Sequence, residues 1–377
     1  MFPSPRLRQR RAMSAGLLVV IAMMISGSGS LAGPVRATEF EFNARPWIEL
    51  GHRINQFIPV TEFVTDLAGP PSIDYGADGR LTTLLVGSDW RERLAGIGER
   101  TDTMMVVSIN PNTHQISLLS IPRDVGNVPI GPNQIFQPKI NGLFKALNRV
   151  GTRETALEGM REAFEYTLQI EIDYVAYMRF DGFETLVEEV GGVPTNIIKD
   201  VYDSGLYDER TSRPPGAKFL IDTTEPLPLM LGKDAPLCGA TEPPIDWSRL
   251  RECRRALLYV RSRHGPGNSD WVRGHRQQDF ILDAIEHVTS QAASGFAYAL
   301  GTRARSMPVD FYTTLPMSSD ADVLALYNLV KDIDPAQAFH VVLKPNVWAH
   351  DVEGTSKQEL NIDVVRQMTR EQFGPVN

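Results

Sequence analysis

Three short apolar runs follow one another between residues 81 and 121, and they restrict the fold more than any other feature. Leu81-Thr82-Thr83-Leu84-Leu85-Val86 stops at Gly87, Thr103-Met104-Met105-Val106-Val107-Ser108-Ile109 is the second, and Gln115-Ile116-Ser117-Leu118-Leu119-Ser120-Ile121 the third. Runs of this length bounded by turn residues read as buried strands. Asn110-Pro111-Asn112 joins the second to the third and predicts a hairpin.

Helical spacing then alternates with further strand-like runs. Ala156, Leu157, Met160, Ala163, Phe164 and Leu168 fall at helical intervals over 153–168. Residues 174–178 read as a strand, and 183–190 as a helix closed by Gly191-Gly192. Proline and glycine are frequent over 203–247, which predicts a long loop or insertion. Order returns at 256–261, a helix follows over 270–293 and another over 321–329, and 339–343 reads as a last strand. Strands intermixed with helices, with a hairpin among them, predict an α/β domain whose mixed central sheet is flanked by helices. The expected organisation is an export segment over 1–37, a lead-in over 38–80 and one catalytic domain over 81–377, with the Pro-rich insertion at about 203–250.

The N-terminus carries Arg6, Arg8, Arg10 and Arg11 ahead of an apolar run over 15–25, then Ser26-Gly27-Ser28 and a small-x-small pattern at Val35-Arg36-Ala37. This is the pattern of a signal peptide, or of an anchor if Leu31 and Ala32 also enter the bilayer. Either predicts an extracytoplasmic protein, exported by the signal or held by it at the outer face of the cytoplasmic membrane. In an oxidising compartment Cys238 and Cys253 read as a bridge, which would contribute roughly 3 kcal/mol, or as two buried thiols. No CxxC, HxxxH or HExxH occurs, so zinc has no support. With 38 Lys+Arg against 46 Asp+Glu, the net charge of −8 argues against a general nucleic-acid footprint.

Charge collects at the predicted strand ends. Asp89 follows the first strand, Arg100 and Asp102 precede the second, and Arg123 and Asp124 follow the third. Asp89 with Asp102 would make a hard-oxygen pair suited to Mg²⁺, which favours carboxylates plus substrate phosphates; taken singly, each residue reads equally as a solvated strand end. A second segment is cationic. In Tyr259-Val260-Arg261-Ser262-Arg263 the arginines share a face if the segment is strand, and Arg273 and Gln277 share a helical face. Arg261, Arg263, Arg273 and Arg276 thus converge, with Asp270 the only acid between Arg254 and Gln278. Surface ion pairs would normally intersperse more acids, so an anion with several phosphate oxygens is the expected ligand.

Leu-Leu-Val-Gly-Ser-Asp (84–89), Arg-Thr-Asp-Thr (100–103), Leu-Leu-Ser-Ile-Pro-Arg-Asp (118–124), Lys139-Ile140-Asn141, Val190-Gly191-Gly192-Val193 and Tyr-Val-Arg-Ser-Arg (259–263) with Arg-Gly-His-Arg-Gln-Gln (273–278) occur in this order. In order and spacing they resemble the LytR–CpsA–Psr domain, from about residue 81 to about 285. The Pro-rich stretch and the segment 247–255 depart from that family's pattern.

The resemblance implies an extracytoplasmic phosphotransferase that moves a glycopolymer from a polyprenyl-pyrophosphate carrier to peptidoglycan or another cell-wall glycan. It implies a mixed sheet enclosing an apolar lipid channel with the pyrophosphate at its mouth, and a membrane surface as partner. Asp89 and Asp102 correspond to the Mg²⁺ pair. Arg123, Arg261, Arg263, Arg273 and Gln277 correspond to phosphate contacts, with Arg100, Lys139 and Arg276 as further members. Asp89 or Asp124 would take the proton of the attacking hydroxyl. The rival readings are a hydrolase of the same pyrophosphate, a protein that only binds polyprenyl phosphates, and a transcriptional attenuator, which export and acidity disfavour.

Overall fold

The computed structural model describes residues 72–90, 99–197, 199–203, 219–221, 229–231, 255–290, 306–317 and 319–374. The N-terminal apolar run, Cys238 and Cys253 lie outside them.

Strands β1 (Leu81–Ser88), β2 (Thr101–Ile109) and β3 (Ile116–Ser120) lead, followed by a small hairpin, β4 (Val128–Gly131) and β5 (Gln134–Phe136). Helices α1 (Leu143–Asn148) and α2 (Arg153–Leu168), strand β6 (Tyr174–Arg179) and helix α3 (Phe180–Glu189) come next. Short strands β7 (Val193–Thr195), β8 (Val201–Asp203), β9 (Phe219–Ile221) and β10 (Leu229–Leu231) precede α4 (Arg255–Arg261) and α5 (Asp270–Ser290). The chain continues through β11 (Phe311–Thr313), α6 (Asp320–Val330), β12 (Phe339–Val342), β13 (Ala349–Asp351), β14 (Gln358–Leu360) and α7 (Ile362–Phe373).

The six-stranded sheet runs β11-β6-β1-β2-β3-β12. β1 pairs β2 antiparallel but β6 parallel, and β3 pairs β2 antiparallel but β12 parallel, so the sheet is mixed as expected. Pleating sends alternate residues to opposite faces. Leu81, Leu85, Met105 and Val107 pack with α3, α4, α5 and α6, whereas Leu84, Val86, Met104 and Val106 pack with α1, α2 and α7. Cover on both faces is why the runs are nearly continuously apolar.

Local signals set the element ends. At the β2–β3 turn the Asn110 Oδ1 accepts from Asn112 N (2.9 Å) and Thr113 N (3.2 Å). Helix α2 begins at a capping box between Thr152 and Thr155 and closes on Gln169 in the left-handed region. Gly191 and Gly192, at φ 74° and 90°, end the α3 turn, a backbone that glycine adopts without strain.

Three expectations are corrected. Residues 255–261 form a helix rather than a strand: Ala256, Leu257, Leu258, Tyr259 and Val260 are all buried, and an all-round apolar run does not distinguish the two. The 203–247 stretch is not wholly loop, since β9 and β10 pair with β8 and β7. Nor is the strand at 339 the last, for β13, β14 and α7 follow it. The end of the lead-in is tied down as well: Ser72 donates from N and Oγ to Asp322, both at 2.7 Å.

Asp173 accepts from Thr82 N at 2.7 Å beneath the sheet edge. Burial, with Glu171, Asp78 and Asp74 nearby, pushes its carboxyl up to about 7 despite that hydrogen bond. A carboxyl raised in the folded state contributes stability that is complete below its ordinary value of 3.8 and is lost as pH rises through the folded value. Asp173→Asn is therefore expected to gain about 1–2 kcal/mol at pH 8 and almost nothing at acid pH, after allowance for solvent screening. Thermal unfolding at both pH values checks this; an equal gain at both would refute it.

Candidate active site

The site lies where β1, β2 and β3 end beside the start of α5. Asp89 follows β1, and its backbone continues the ladder: Asp89 N donates to Arg100 O (3.0 Å), while Arg100 N donates to Asp89 Oδ1 (2.8 Å). Asp102 is the second residue of β2, not the residue before it, because the β1–β2 pairing reaches Thr101. One Asp102 oxygen accepts from Arg123 Nη1 at 3.1 Å. Burial would push the Asp102 carboxyl up, but Arg123 and then Arg273 outweigh it and hold it below the usual carboxylate range.

Asp270, the first residue of α5, organises the arginines. Its carboxylate lies 2.9 Å from Arg273, 3.4 Å from Arg123 and 3.6 Å from Arg263. Arg273, only 7% exposed, also donates to the backbone oxygen of Asp102 at 3.2 Å. Arg261 closes α4 and stacks over Phe180 at 4.1 Å, near enough to depress the Asp102 carboxyl further. Four guanidinium groups therefore surround two carboxylates, a net surplus of two positive charges in a half-buried site. Asp102 and Asp270 pre-orient three of the arginines and leave the surplus for an anion. Asp270 was visible in the sequence as the one acid of its segment, but the convergence of three arginines on it was not.

The remaining sequence candidates separate. Gln277 Nε2 bridges Thr103 Oγ1 (2.9 Å) and Val260 O (3.0 Å), tying β2 to α4 beside the cluster. Lys139 is held by Asp124 at 2.6 Å, so these two form a pair of their own behind Arg123. Arg100 is exposed. Arg276 does not join the cluster: it donates to Ser262 O (2.9 Å) and to Asn268, and packs near Tyr259. It shapes the loop that carries Arg263.

That loop has a second anchor which sequence reasoning passed over. Asp203 is fully buried, and its Oδ2 accepts from Ser262 Oγ (3.0 Å), Arg263 N (2.7 Å) and His264 N (2.9 Å). Gly265, at φ 112°, has a Cα so close to Tyr202 that a Cβ would meet the Tyr202 oxygen at 2.6 Å. Glycine is thus required where the loop crosses β8.

Two cavities flank the cluster. The first, about 90 Å³, is lined mainly by apolar side chains such as Leu85, Met105, Phe183 and Phe280, with Arg179, Arg261, Thr103 and Gln277 on its wall. The second, about 290 Å³, is the more polar and shares no lining residue with it; Asp124, Arg263 and Asp270 are on its wall. Arg261 thus faces one cavity and Arg263 the other, because the helix ends between them.

Arg179 adds a further cation that the sequence reading missed. It stacks over Trp90 at 4.1 Å, donates to Tyr177 Oη at 2.9 Å and lies 3.8 Å from Glu99, to which Ser88 and Tyr177 also donate.

The donor set suits a hard divalent cation. Asp89 and Asp102 lie at neighbouring strand ends, and Asp102 is held ionised. Among the described residues no group of three His, Cys, Asp or Glu is placed to hold a metal. A cation here would complete its shell from water and phosphate oxygens, which is the habit of Mg²⁺.

Comparison with known proteins bears on the fold. The LytR_cpsA_psr family model matches residues 62–227; the arginine segment lies beyond the match. A relative named polyisoprenyl-teichoic acid–peptidoglycan teichoic acid transferase TagV, from Bacillus subtilis (strain 168), is 34% identical over 191 residues, covering 51% of this chain and 39% of the relative. One named polyisoprenyl-teichoic acid–peptidoglycan teichoic acid transferase TagU, from Halalkalibacterium halodurans, is 33% identical over 224 residues, covering 59% and 58%. The chain therefore spans less than two thirds of either relative's length. The crystal structure of Bacillus subtilis TagV superposes with a TM-score of 0.51 at 19% identity, covering 80% of this chain and 99% of that one, a likeness of fold. Over residues 62–227 this chain is similar to the LytR_cpsA_psr family, and the ordered motifs and the mixed sheet that carries them accord with that likeness.

Proposed function

We propose that this protein is an extracytoplasmic phosphotransferase that moves a glycopolymer from a polyprenyl-pyrophosphate carrier onto peptidoglycan or another cell-wall glycan. The observation that carries the reading is the arginine cluster with its surplus of positive charge, set beside an apolar cavity. A lipid pyrophosphate has the matching chemistry: an apolar tail and a compact dianionic to trianionic head. The names of the Bacillus subtilis and Halalkalibacterium halodurans relatives give the substrate class its support.

In this reading the isoprenoid tail enters the cavity past Phe183 and Phe280, and the diphosphate lies against Arg123, Arg261, Arg263 and Arg273. A glycan hydroxyl attacks the phosphorus that bears the polymer, its proton passing to a carboxylate. The bond from that phosphorus to the polyprenyl phosphate breaks, giving a phosphodiester and free polyprenyl phosphate. Of the two candidate bases, Asp124 lines the polar pocket. The arginines act chiefly by holding the diphosphate and matching charge that moves to the departing phosphate. Mg²⁺, held by Asp89 and Asp102, would add charge neutralisation on the phosphate oxygens.

Native mass spectrometry of the purified exported chain with Mg²⁺ tests the reading. Wild-type protein is expected to carry polyprenyl phosphate or pyrophosphate, and Arg261→Ala to lose at least about tenfold in retained lipid. Protein that neither carries nor takes up polyprenyl pyrophosphate would sink it. A hydrolase uses the same groups with water as nucleophile; release of polymer phosphate at equal rates with and without acceptor glycan would favour it.

A further inference from the structure

We propose that the polar pocket binds a sugar ring of the acceptor glycan, seated on Trp271 with its reactive hydroxyl toward Asp124. The inference rests on the transferase reading and deepens it by assigning the nucleophile's side of the site.

Direction comes from the chemistry. In an in-line displacement the attacking and departing oxygens stand on opposite faces of the phosphorus. The departing oxygen belongs to the lipid phosphate, whose tail needs the apolar cavity. The attacking hydroxyl must come from the other side of the arginines. The polar pocket lies there: Asp270 is on its wall and binds Arg123 and Arg273, which bind Asp102, whose neighbour Thr103 lines the apolar cavity.

The lining suits a sugar. Trp271 offers a half-buried aromatic surface, and Asp124, His264 and Gln358 supply hydrogen-bonding groups around it. An aromatic face ringed by polar groups matches a pyranose, which has apolar C–H faces and a hydroxyl edge. At about 290 Å³ the pocket has room for a sugar ring. Its far wall is firm: Gln358 N donates to Asp124 O at 3.0 Å and Gly126 N to Gln358 O at 2.8 Å, joining β14 to the segment after β3. Asp124 is steadied by Lys139 at 2.6 Å.

The test has a binding arm and a turnover arm, both on the full chain. With 5-fluorotryptophan at its five tryptophans, the Trp271 resonance is assigned by its loss in Trp271→Phe. Chitotetraose is expected to shift that resonance saturably, with an affinity on the order of millimolar. In the transfer assay, Trp271→Phe and Gln358→Ala are expected to raise KM for the acceptor glycan about tenfold and leave donor KM within about twofold. The Gln358 variant serves because its side chain lies outside α5 and its loss leaves the arginines in place. A rise in donor KM with acceptor KM unmoved would overturn the proposal and make the pocket a donor-sugar site. So would a silent Trp271 resonance with both constants unchanged. If wild-type protein transfers nothing from a polyprenyl-pyrophosphate donor, the transferase reading fails. A saturable chitotetraose shift in that case would still establish a glycan site, and its absence would remove both.

Discussion

Arg123→Ala is expected to lower transfer about a thousandfold, roughly 4 kcal/mol of transition-state stabilisation, while the protein stays folded. Arg123 reaches Asp102 at 3.1 Å and Asp270 at 3.4 Å, and so spans the two carboxylates that organise the site. Its planar fork holds both at once; an ammonium group is a single point charge on a mobile stem. Arg123→Lys is accordingly expected to recover less than about a tenth of the lost rate, although formal charge is restored. Folding should survive because Asp270 keeps its 2.9 Å pair with Arg273, and the Asp102 carboxylate still lies in the field of Arg273 and Arg261. Rates of labelled glycan transfer, with thermal melts of each variant, check the prediction. A loss of threefold or less in a well-folded Arg123→Ala protein would remove Arg123 from the reaction.

The second large effect separates binding from turnover. Asp270 neutralises part of the charge of Arg123, Arg263 and Arg273 in the absence of substrate. Asp270→Asn exposes that charge, so inorganic pyrophosphate is expected to bind several-fold more tightly. Turnover is expected to fall about a hundredfold, since the arginines then lack the carboxylate that sets their geometry. Lower kcat with tighter ground-state binding marks a residue whose value lies in orientation rather than in affinity. Calorimetry with pyrophosphate and steady-state kinetics give the two halves. Weaker pyrophosphate binding in Asp270→Asn would contradict the orienting role and assign Asp270 to direct contact with the ligand's environment.

Some of the fold was legible because its signals are local. The helix over 153–168 was readable because its apolar residues recur at helical intervals within a few turns of one another, while its Thr152 cap was seen only in the structure. The three leading strands and the Asn110 hairpin were readable for the same reason. Asp89, Asp102 and Arg123 could be singled out because a charge beside a strand end stands out against the apolar run it follows.

Other features depended on which distant segments meet. Residues 256–260 are buried on every side, so their pattern has no period to read, and helix or strand was settled by packing against α3 and α5. That decision placed Arg261 and Arg263 on two different cavities instead of one face. Arg276, one residue before Gln277, turns around the α5 axis to the 262–268 loop, a choice that no spacing rule announces. The Asp203 anchor lies some sixty residues before the loop it holds, and β14 closes the polar pocket from near the end of the chain. The sequence by itself determined the leading strands, the 153–168 helix, the run of charged strand ends and the cationic segment, because these rest on neighbours along the chain. Only the tertiary structure decided that Asp270 gathers three arginines and that an apolar and a polar cavity share them, because ion pairs and cavities belong to residues that meet through folding.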